Sequence, residues 1–390
     1  MNGRSMLWRG VAAVAVATCL ASAGQAQANA LIAVVAKKIV TGAGPDVENA
    51  ALLIEGGRIQ GIVAAGQIPP SAVVVDRSDA CLAPGYVEAY SSAGSLFDLE
   101  EDYATIDQFA RVADALNLEH RDFDLLAESG VTTAVIVPSH RNIVAGSCAV
   151  VKTAGAAERL ILADGPLKMA LSMDTLTTKR MPTSFIGAAD TLRSALTAAK
   201  GADAESTPLG KLVRKQRGGI LWAQTERELR AALALRQALD LDFSILGAAD
   251  ARETLALMKD IGLRVALAPL AFADSRRTLT QPRALEAAGV KVAFYADSPR
   301  RSADGLRVSA ALAARNGLSR AAAIAAVTLT PAELAGAGMR VGSLAAGKDA
   351  DFVVLSGDPL DLSSRLQETW IAGQRVKKAP AVPASTEVKK

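Results

Sequence analysis

Histidine and cysteine side chains, which bind zinc or act as nucleophiles, are few in this chain. It contains two histidines, His120 and His140, and two cysteines beyond residue 20, Cys81 and Cys148. Zinc and similar cations take imidazole, thiolate or carboxylate ligands, and catalytic zinc sites commonly use three protein side chains. One histidine precedes a predicted helix and the other lies in a predicted loop. The composition therefore counts against an imidazole-rich metal centre.

His140 is the histidine with the better claim to function. It follows a predicted strand, in a loop with Arg141, and loops after strands carry function in α/β proteins. The two side chains could bind a substrate carboxylate, although a single loop histidine is more often solvated or hydrogen-bonded. Ser92 with His140 does not indicate a serine hydrolase, because no Gly-x-Ser-x-Gly elbow is present. His120, among charged residues, is predicted to lie on the surface.

The cysteines give little sign of reactivity. Cys148 has no basic neighbour in sequence that would stabilise its thiolate. An oxidising compartment would permit a disulfide with Cys81. Both cysteines flank predicted buried strands, where free cysteine acts as a small hydrophobe, so we favour two free thiols.

The bulk composition fits a soluble α/β protein. The chain has 390 residues, half of them apolar, and a formal net charge of +3. This length suffices for one large barrel and a smaller satellite domain. No basic stripe with interleaved aromatic residues occurs, so nucleic acid is not an expected partner.

The N-terminus has the pattern of a secretory signal peptide. Arg4 and Arg9 precede an apolar run over residues 11–20, and Ala26-Gln27-Ala28 fits the small-x-small cleavage rule. We expect cleavage near Ala28 and an exported, periplasmic protein. No later segment is long and apolar enough to span a bilayer.

Short β segments are predicted at both ends of the chain, and we expect them to pair in one small β-sandwich, because isolated strands need a partner sheet. They are residues 31–39, 51–55, 58–63, 72–76, 351–355, 368–372 and 373–376.

Between them, strands alternate with helices, which predicts βα units and a parallel sheet. Strands are predicted at residues 132–137, 150–152, 167–171, 219–223, 243–246, 264–268 and 291–295, with helices at 122–129, 226–239, 251–261 and 281–288. Seven or eight such units fit a TIM-type (β/α)8 barrel of the α/β class, whose functional groups lie at the C-terminal ends of the strands. Residues 201–218 are predicted to form a loop.

Several motifs together resemble the amidohydrolase superfamily, and some suggest its imidazolonepropionase-like branch. The run Pro84-Gly85-Tyr86-Val87-Glu88-Ala89 is similar to the start of the first barrel strand in that family, and residues 54–59 are similar to its N-terminal hairpin. Residues 347–354, Gly-Lys-Asp-Ala-Asp-Phe-Val-Val, are similar to the return to the sandwich.

The resemblance implies a domain plan. After the signal peptide predicted at 1–28, it places the first part of the sandwich at 29–82 and an amidohydrolase-like barrel at 83–337. The rest of the sandwich follows at 338–376, and the Pro/Ala-rich composition of residues 377–390 predicts a disordered tail.

The resemblance also implies a reaction and shows what this chain lacks for it. Family members hydrolyse C–N bonds of amides with one or two divalent metals, such as zinc, that activate water. Tyr90 and Ser92 stand at the two first-strand histidine positions, and Leu246 aligns with the sixth-strand histidine. The fifth-strand histidine aligns with Trp222 or Gln224. We therefore expect this chain to bind no cofactor.

The eighth-strand aspartate of the family, which moves protons during hydrolysis, matches Asp297. It could be a remnant proton shuttle, but an inherited, hydrogen-bonded strand-end residue is the favoured interpretation. Met173 stands near the fourth-strand acidic ligand. Some family members use a carbamylated lysine, but Lys152 and Lys168 are expected to be ordinary lysines.

Three roles stay open for such a chain. The first is a ligand-binding pseudoenzyme whose candidate pocket consists of Tyr90, Ser92, Trp222, Gln224, Arg141, His140 and Asp297; alternatively the bulky rings simply fill the space. The second is an interaction protein that pairs with an active amidohydrolase paralogue, in an oligomer. The third is a weakly active, metal-independent hydrolase that uses Asp297.

Overall fold

In the computed structural model, residues 30–95, 99, 101, 103–155, 158–177 and 179–378 are described. The predicted signal peptide and most of the predicted tail lie outside these residues. None of the described helices is long and apolar enough to cross a membrane.

The strands β1–β4 and β15–β17 from the two chain ends form one hydrogen-bonded sheet, in the order β17-β16-β15-β4-β1-β2-β3. Their bounds are β1 Ile32–Ile39, β2 Val47–Glu55, β3 Arg58–Ala64, β4 Val73–Pro84, β15 Phe352–Leu355, β16 Leu366–Ile371 and β17 Gln374–Lys378. The prediction that both ends build one β unit is thus confirmed, whereas the expected two-sheet sandwich is a single seven-stranded sheet. β17 also continues two residues into the predicted tail.

This sheet curls on itself. The amide of Ile59, at the start of the outermost strand β3, donates to the carbonyl of Lys348 just before β15, and Ile59 accepts from Gly347. Leu52, Phe352 and Trp370 consequently share one apolar core. The curl encloses a core between the N-terminal and C-terminal strands without a second sheet.

The middle of the chain alternates strands and helices. The strands are β5 Tyr86–Ser91, β6 Val131–Ile136, β7 Val144–Ser147, β8 Ala149–Lys152, β9 Leu160–Leu162, β10 Leu167–Ala170, β11 Gly219–Ala223, β12 Phe243–Gly247, β13 Arg264–Leu267 and β14 Lys291–Phe294. The α-helices are α1 Arg121–Glu128, α2 Phe185–Ala198, α3 Pro208–Val213, α4 Glu226–Leu239, α5 Leu255–Met258, α6 Arg276–Leu279, α7 Gln281–Ala287, α8 Gly305–Arg315, α9 Arg320–Ala325 and α10 Leu329–Leu334.

The strands pair in a circuit. β10 to β14 are successive parallel neighbours, and β5 is parallel to β6. A parallel bridge between Ser91 and Ser298 connects the end of β5 to the residues after β14. The third position in the circuit departs from the expected parallel order. There β7 runs antiparallel to β10, and β8 runs antiparallel to β6.

Two local expectations about helices were wrong. Residues 201–218 contain α3, which starts because Thr207 accepts a hydrogen bond from the Gly210 amide and Pro208 occupies the first turn, where its missing N–H costs nothing. The helix expected over 251–261 is a 3₁₀ turn, Ala251–Thr254, followed by the short α5. The predicted bounds of α4 and β11 match the structure.

Candidate functional site

The C-terminal ends of the barrel strands bring an aromatic group to one place. Tyr90 is the penultimate residue of β5, Trp222 lies near the end of β11, and Tyr295 directly follows β14. All three side chains are buried in one apolar cluster. Trp222 is in register with Ala170 of β10 and Leu246 of β12. The C-terminal ends of β5, β11 and β14 therefore carry packed rings, whereas β10 and β12 carry Ala170 and Leu246 beside them.

The four rings of Tyr90, His140, Trp222 and Tyr295 form what we call the ring cluster. The imidazole of His140 stacks on the indole of Trp222, with centroids 3.6 Å apart and planes 10° apart. Tyr90 stacks against His140 at 5.1 Å and meets Tyr295 edge-on at 5.5 Å. The edge-to-face contact of the two tyrosines is favourable for aromatic pairs, whereas the short centroid distance of His140 and Trp222 makes theirs a face-to-face contact. Side chains thus fill the centre of the barrel mouth.

His140 reaches this position from the loop after β6. Burial, together with the nearby positive charges of Lys168 and Arg300, lowers the pKa of His140 to about 2. Its imidazole is therefore neutral at physiological pH. The Nδ1 atom of His140 and the Nε1 atom of Trp222 are both buried and find no hydrogen-bond partner among the described residues. Such orphaned groups are uncommon in folded proteins and call for an explanation.

Glu88 fixes the seam between the first and last strands of the circuit. Its buried carboxylate accepts hydrogen bonds from the amides of Tyr90 and Ala296, both at 3.0 Å, and from the hydroxyl of Ser298 at 3.3 Å. Burial outweighs these hydrogen bonds and raises the pKa of Glu88 to about 8. The carboxyl group ties both neighbours of Asp297 to β5.

Asp297 is held in an unusual conformation at this seam. Its φ of 62° lies in the left-handed region that few side chains tolerate. The carboxylate atom Oδ1 of Asp297 lies 3.6 Å from a guanidinium nitrogen of Arg300, and the Asp297 side chain is 23% exposed. Burial raises the pKa of Asp297, and the charges of Arg300 and Arg301 oppose this effect. Strain of this kind concentrates at functional positions.

Gln224 lies beside the ring cluster. Its side-chain oxygen accepts from the amide of Ala249 at 3.3 Å, and its carboxamide packs against Gly247, where a Cβ atom would lie 2.8 Å from it. A hydrogen bond to Gln224 also favours the ionised form of Tyr295, although burial dominates and raises the pKa of that phenol. Gln224 is therefore a polar group at the edge of the aromatic rings.

The remaining candidates are placed differently. The Ser92 amide donates to the carbonyl of Ser298 at 3.0 Å and so belongs to the seam. Arg141 is exposed, and its carbonyl accepts a hydrogen bond from Arg180. His120 caps α1 by accepting from the Asp122 amide, so it is half-buried rather than simply a surface residue.

The two lysines occupy different surroundings. The ammonium of Lys152 is buried between Asp349 and Asp351, and it joins the barrel to the curled sheet. Lys168 is fully buried, and burial lowers its pKa to about 7. Its Nζ atom donates to the carbonyl of Met169 at 3.2 Å.

The side chains at the expected ligand positions do not fit a divalent metal. The positions to which the resemblance assigns metal ligands hold a phenol, a serine hydroxyl and an indole, and none of these is a usual zinc ligand. Within the described ranges, no three histidine, cysteine, aspartate or glutamate side chains converge in a way that could hold an ion. Cys81 and Cys148 are buried free thiols.

Sequence reasoning missed Tyr295 and the role of Glu88. Both could have been noticed. Tyr295 lies two residues before Asp297, on the face of the strand that points toward the barrel interior, and Glu88 has the same relation to Tyr90.

A cavity of about 800 Å³ lies away from the ring cluster, lined by residues near the turn between β1 and β2 and by residues of α9 and α10. Its charged groups already have partners: Glu333 accepts from Lys291 at 2.7 Å, and Glu286 accepts from the Ser319 amide at 3.0 Å. Because these charged groups are already paired, we do not take this cavity as a candidate active site.

Comparison with known proteins agrees with this geometry. The sequence model of the amidohydrolase family matches residues 236–377. The C-terminal part of the chain is thus similar in sequence to the amidohydrolase family, and the fold extends this likeness to the rest of the described residues. An amidohydrolase from Thermotoga maritima MSB8 superposes with a TM-score of 0.79 at 23% identity, covering 89% of this chain and all of that one. Molinate hydrolase superposes with a TM-score of 0.54 at 15% identity, covering 93% of this chain and 99% of that one.

These superpositions show the amidohydrolase fold, a TIM-type barrel with an additional domain. A curated relative, Amidohydrolase tasK from Hapsidospora irregularis, is 38% identical over 85 residues. That match covers 22% of this chain and spans 9% of the length of the relative. The chain thus combines the amidohydrolase fold with a barrel mouth that is filled by rings.

Proposed function

We propose that this amidohydrolase is a pseudoenzyme, which has given up metal-dependent hydrolysis of C–N bonds and uses the C-terminal face of its (β/α)8 barrel to recognise another molecule. The stacking of His140 on Trp222 carries this proposal. The two rings, with Tyr90, occupy the space that a metal and its water would need. An activated water requires an open coordination position, and packed rings leave none.

Binding of a small molecule is the favoured role. The ring cluster offers flat apolar surfaces, and Trp222 Nε1 and Asp297 Oδ1 lack hydrogen-bond partners within the described part of the chain. Apolar walls with a few convergent polar atoms are typical of ligand sites. The filled mouth counts against a ready-formed pocket, so binding would require a side chain to move.

A role as partner of an active amidohydrolase paralogue is the second candidate. Large apolar side chains are exposed in segments that follow the C-terminal ends of barrel strands: Tyr103 is 94% exposed, Met181 73%, Ile186 82% and Phe272 69%. Exposed apolar surface of this kind marks interaction sites. Export to the periplasm remains a prediction from the N-terminal sequence.

The proposal is tested by metal content and hydrolysis. After incubation of the purified protein with zinc, manganese or nickel and gel filtration, we expect well below one metal ion per chain by elemental analysis. Linear and cyclic amides should be hydrolysed no faster than in buffer, and Asp297→Asn should change nothing. Stoichiometric metal together with hydrolysis that Asp297→Asn abolishes would refute the proposal. Metal-free hydrolysis lost in the same variant would instead favour the role of Asp297 as a general base.

A further inference from the structure

The ring of His140 covers one face of Trp222 in the barrel mouth. The two rings are nearly parallel, and their centroids are 3.6 Å apart. However, only the apolar faces of the two rings are well packed. The polar atoms His140 Nδ1 and Trp222 Nε1 are buried and have no hydrogen-bond partners among the described residues. Leaving a buried donor or acceptor unpaired is unfavourable. A ring with suitably placed polar atoms would fit this position better than imidazole does.

The position of His140 in the chain allows its ring to move out of the barrel mouth. The residue belongs to the segment between β6 and β7, outside any strand or helix. Hydrogen bonds from Arg180 to the Arg141 carbonyl and to the Asn142 side chain hold the neighbouring residues. No hydrogen bond from the described residues holds the imidazole of His140 at Nδ1. Its rotation out of the mouth would break no strand pairing.

Charges around the ring cluster favour an anion. Arg300 and Lys168 both act electrostatically on His140, and Arg301 acts on Tyr295. Asp297 is the opposing charge; it lies 3.6 Å from Arg300, whose side chain is 64% exposed and free to reach outward. Arginine binds carboxylates through paired hydrogen bonds.

We infer that His140 is a displaceable plug over a binding site for a planar aromatic carboxylate, whose ring stacks on Trp222 and whose charge meets Arg300. This inference rests on the proposed ligand-binding role and specifies its ligand class. The apparent affinity is then reduced by the fraction of molecules in which His140 covers the site. Removing the imidazole should therefore tighten binding.

Isothermal titration calorimetry with benzoate tests this inference. We expect His140→Ala to bind benzoate about tenfold more tightly than the wild type, or better. His140→Phe, which keeps a ring on Trp222, is the matched control and should show no gain. In the His140→Ala background, Arg300→Gln should weaken binding of benzoate but not of neutral benzamide. Circular dichroism confirms that each variant is folded, and His140→Ser replaces His140→Ala if that variant is not.

Equal benzoate affinity in the wild type and His140→Ala, or no binding by either, would overturn the inference. Equal affinity of His140→Ala for benzoate and for non-planar cyclohexanecarboxylate would also overturn it, since stacking would then play no part. These outcomes are independent of metal content and amide hydrolysis. Displacement of His140 by a ligand can therefore be disproved while the pseudoenzyme proposal stands. The pseudoenzyme proposal can likewise be disproved while the displacement of His140 stands.

Discussion

The ammonium of Lys152 and the carboxylate of Asp351 meet at 2.6 Å, where the barrel packs against the curled sheet, and both side chains are almost fully buried. Asp349 approaches the same ammonium at 2.8 Å. Two residues that are 199 positions apart thus join the two parts of the molecule.

Breaking this ion pair should be strongly destabilising. Lys152→Met leaves the buried carboxylate of Asp351 without its cation, whereas Asp349 keeps Arg340 at 3.1 Å. We therefore expect the free energy of unfolding to fall by about 3–5 kcal/mol. Adding Asp351→Asn should recover part of the loss. Arg58→Met is the control, because Arg58 is 55% exposed and 3.9 Å from Asp349, and its cost should stay below about 1 kcal/mol. Urea denaturation measures all three, and equal losses for Lys152→Met and Arg58→Met would contradict the prediction.

Glu88 should make stability depend on pH. Burial raises its pKa from 4.5 to about 8, so the folded protein binds the proton more tightly than the unfolded chain does. Its contribution is complete below pH 4.5 and is lost as the pH rises through 8. Relative to Glu88→Gln, the wild type should lose up to about 1.4 kcal/mol per pH unit over this interval. A difference between the two that stays flat in urea titrations across this range argues against the raised pKa.

Trp222 should contribute strongly to packing. Truncation to alanine would leave a cavity under His140 and Tyr90, and we expect a loss of about 3–5 kcal/mol in the free energy of unfolding. Trp222→Phe keeps an aromatic ring and removes the unpartnered N–H, so it should cost less than about 1.5 kcal/mol. Thermal and urea denaturation would separate the two variants; similar losses would show that the indole N–H has a partner.

Gly85 of the first-strand motif should be coupled to Thr132. A Cβ atom at Gly85 would collide with the Thr132 side chain. We therefore expect Gly85→Ala to be destabilising by about 1–3 kcal/mol. Thr132→Ala removes most of the obstructing atoms, so the double variant should be more stable than the sum of the single changes predicts, by at least about 0.5 kcal/mol. Strict additivity in a double-mutant cycle would rule out this contact.

Both thiols should be unreactive in the native protein. Burial raises the pKa values of Cys81 and Cys148 to about 12, and the thiolate is the reactive form. Ellman's reagent should detect essentially no thiol in the folded chain and both in guanidinium. A single intramolecular disulfide would show itself by the absence of these two thiols after denaturation without reductant.

Much of the fold follows from local sequence patterns. The continuous apolar run over residues 220–223 predicted β11, and Gly130, with a φ of 81°, follows the end of α1. The motif at Pro84-Gly85 and the return at residues 347–354 predicted a shared β unit of the two chain ends. The helix α3 was not predicted because its segment is rich in polar and small residues. Thr207 and Pro208 start this helix by capping, and no hydrophobic period marks it.

The candidate site was only partly predictable. The sequence has Tyr90, Ser92 and Trp222 at positions where the resemblance implies histidines. Tertiary structure decided that the ring of His140 covers Trp222, that Glu88 bonds to residues around Asp297, and that Lys152 faces Asp351. These are contacts between side chains far apart in the chain, and local periodicity carries no information about them. The sequence determined which side chains stand at the strand ends, whereas the closure of the strands into a circuit decided which of them touch.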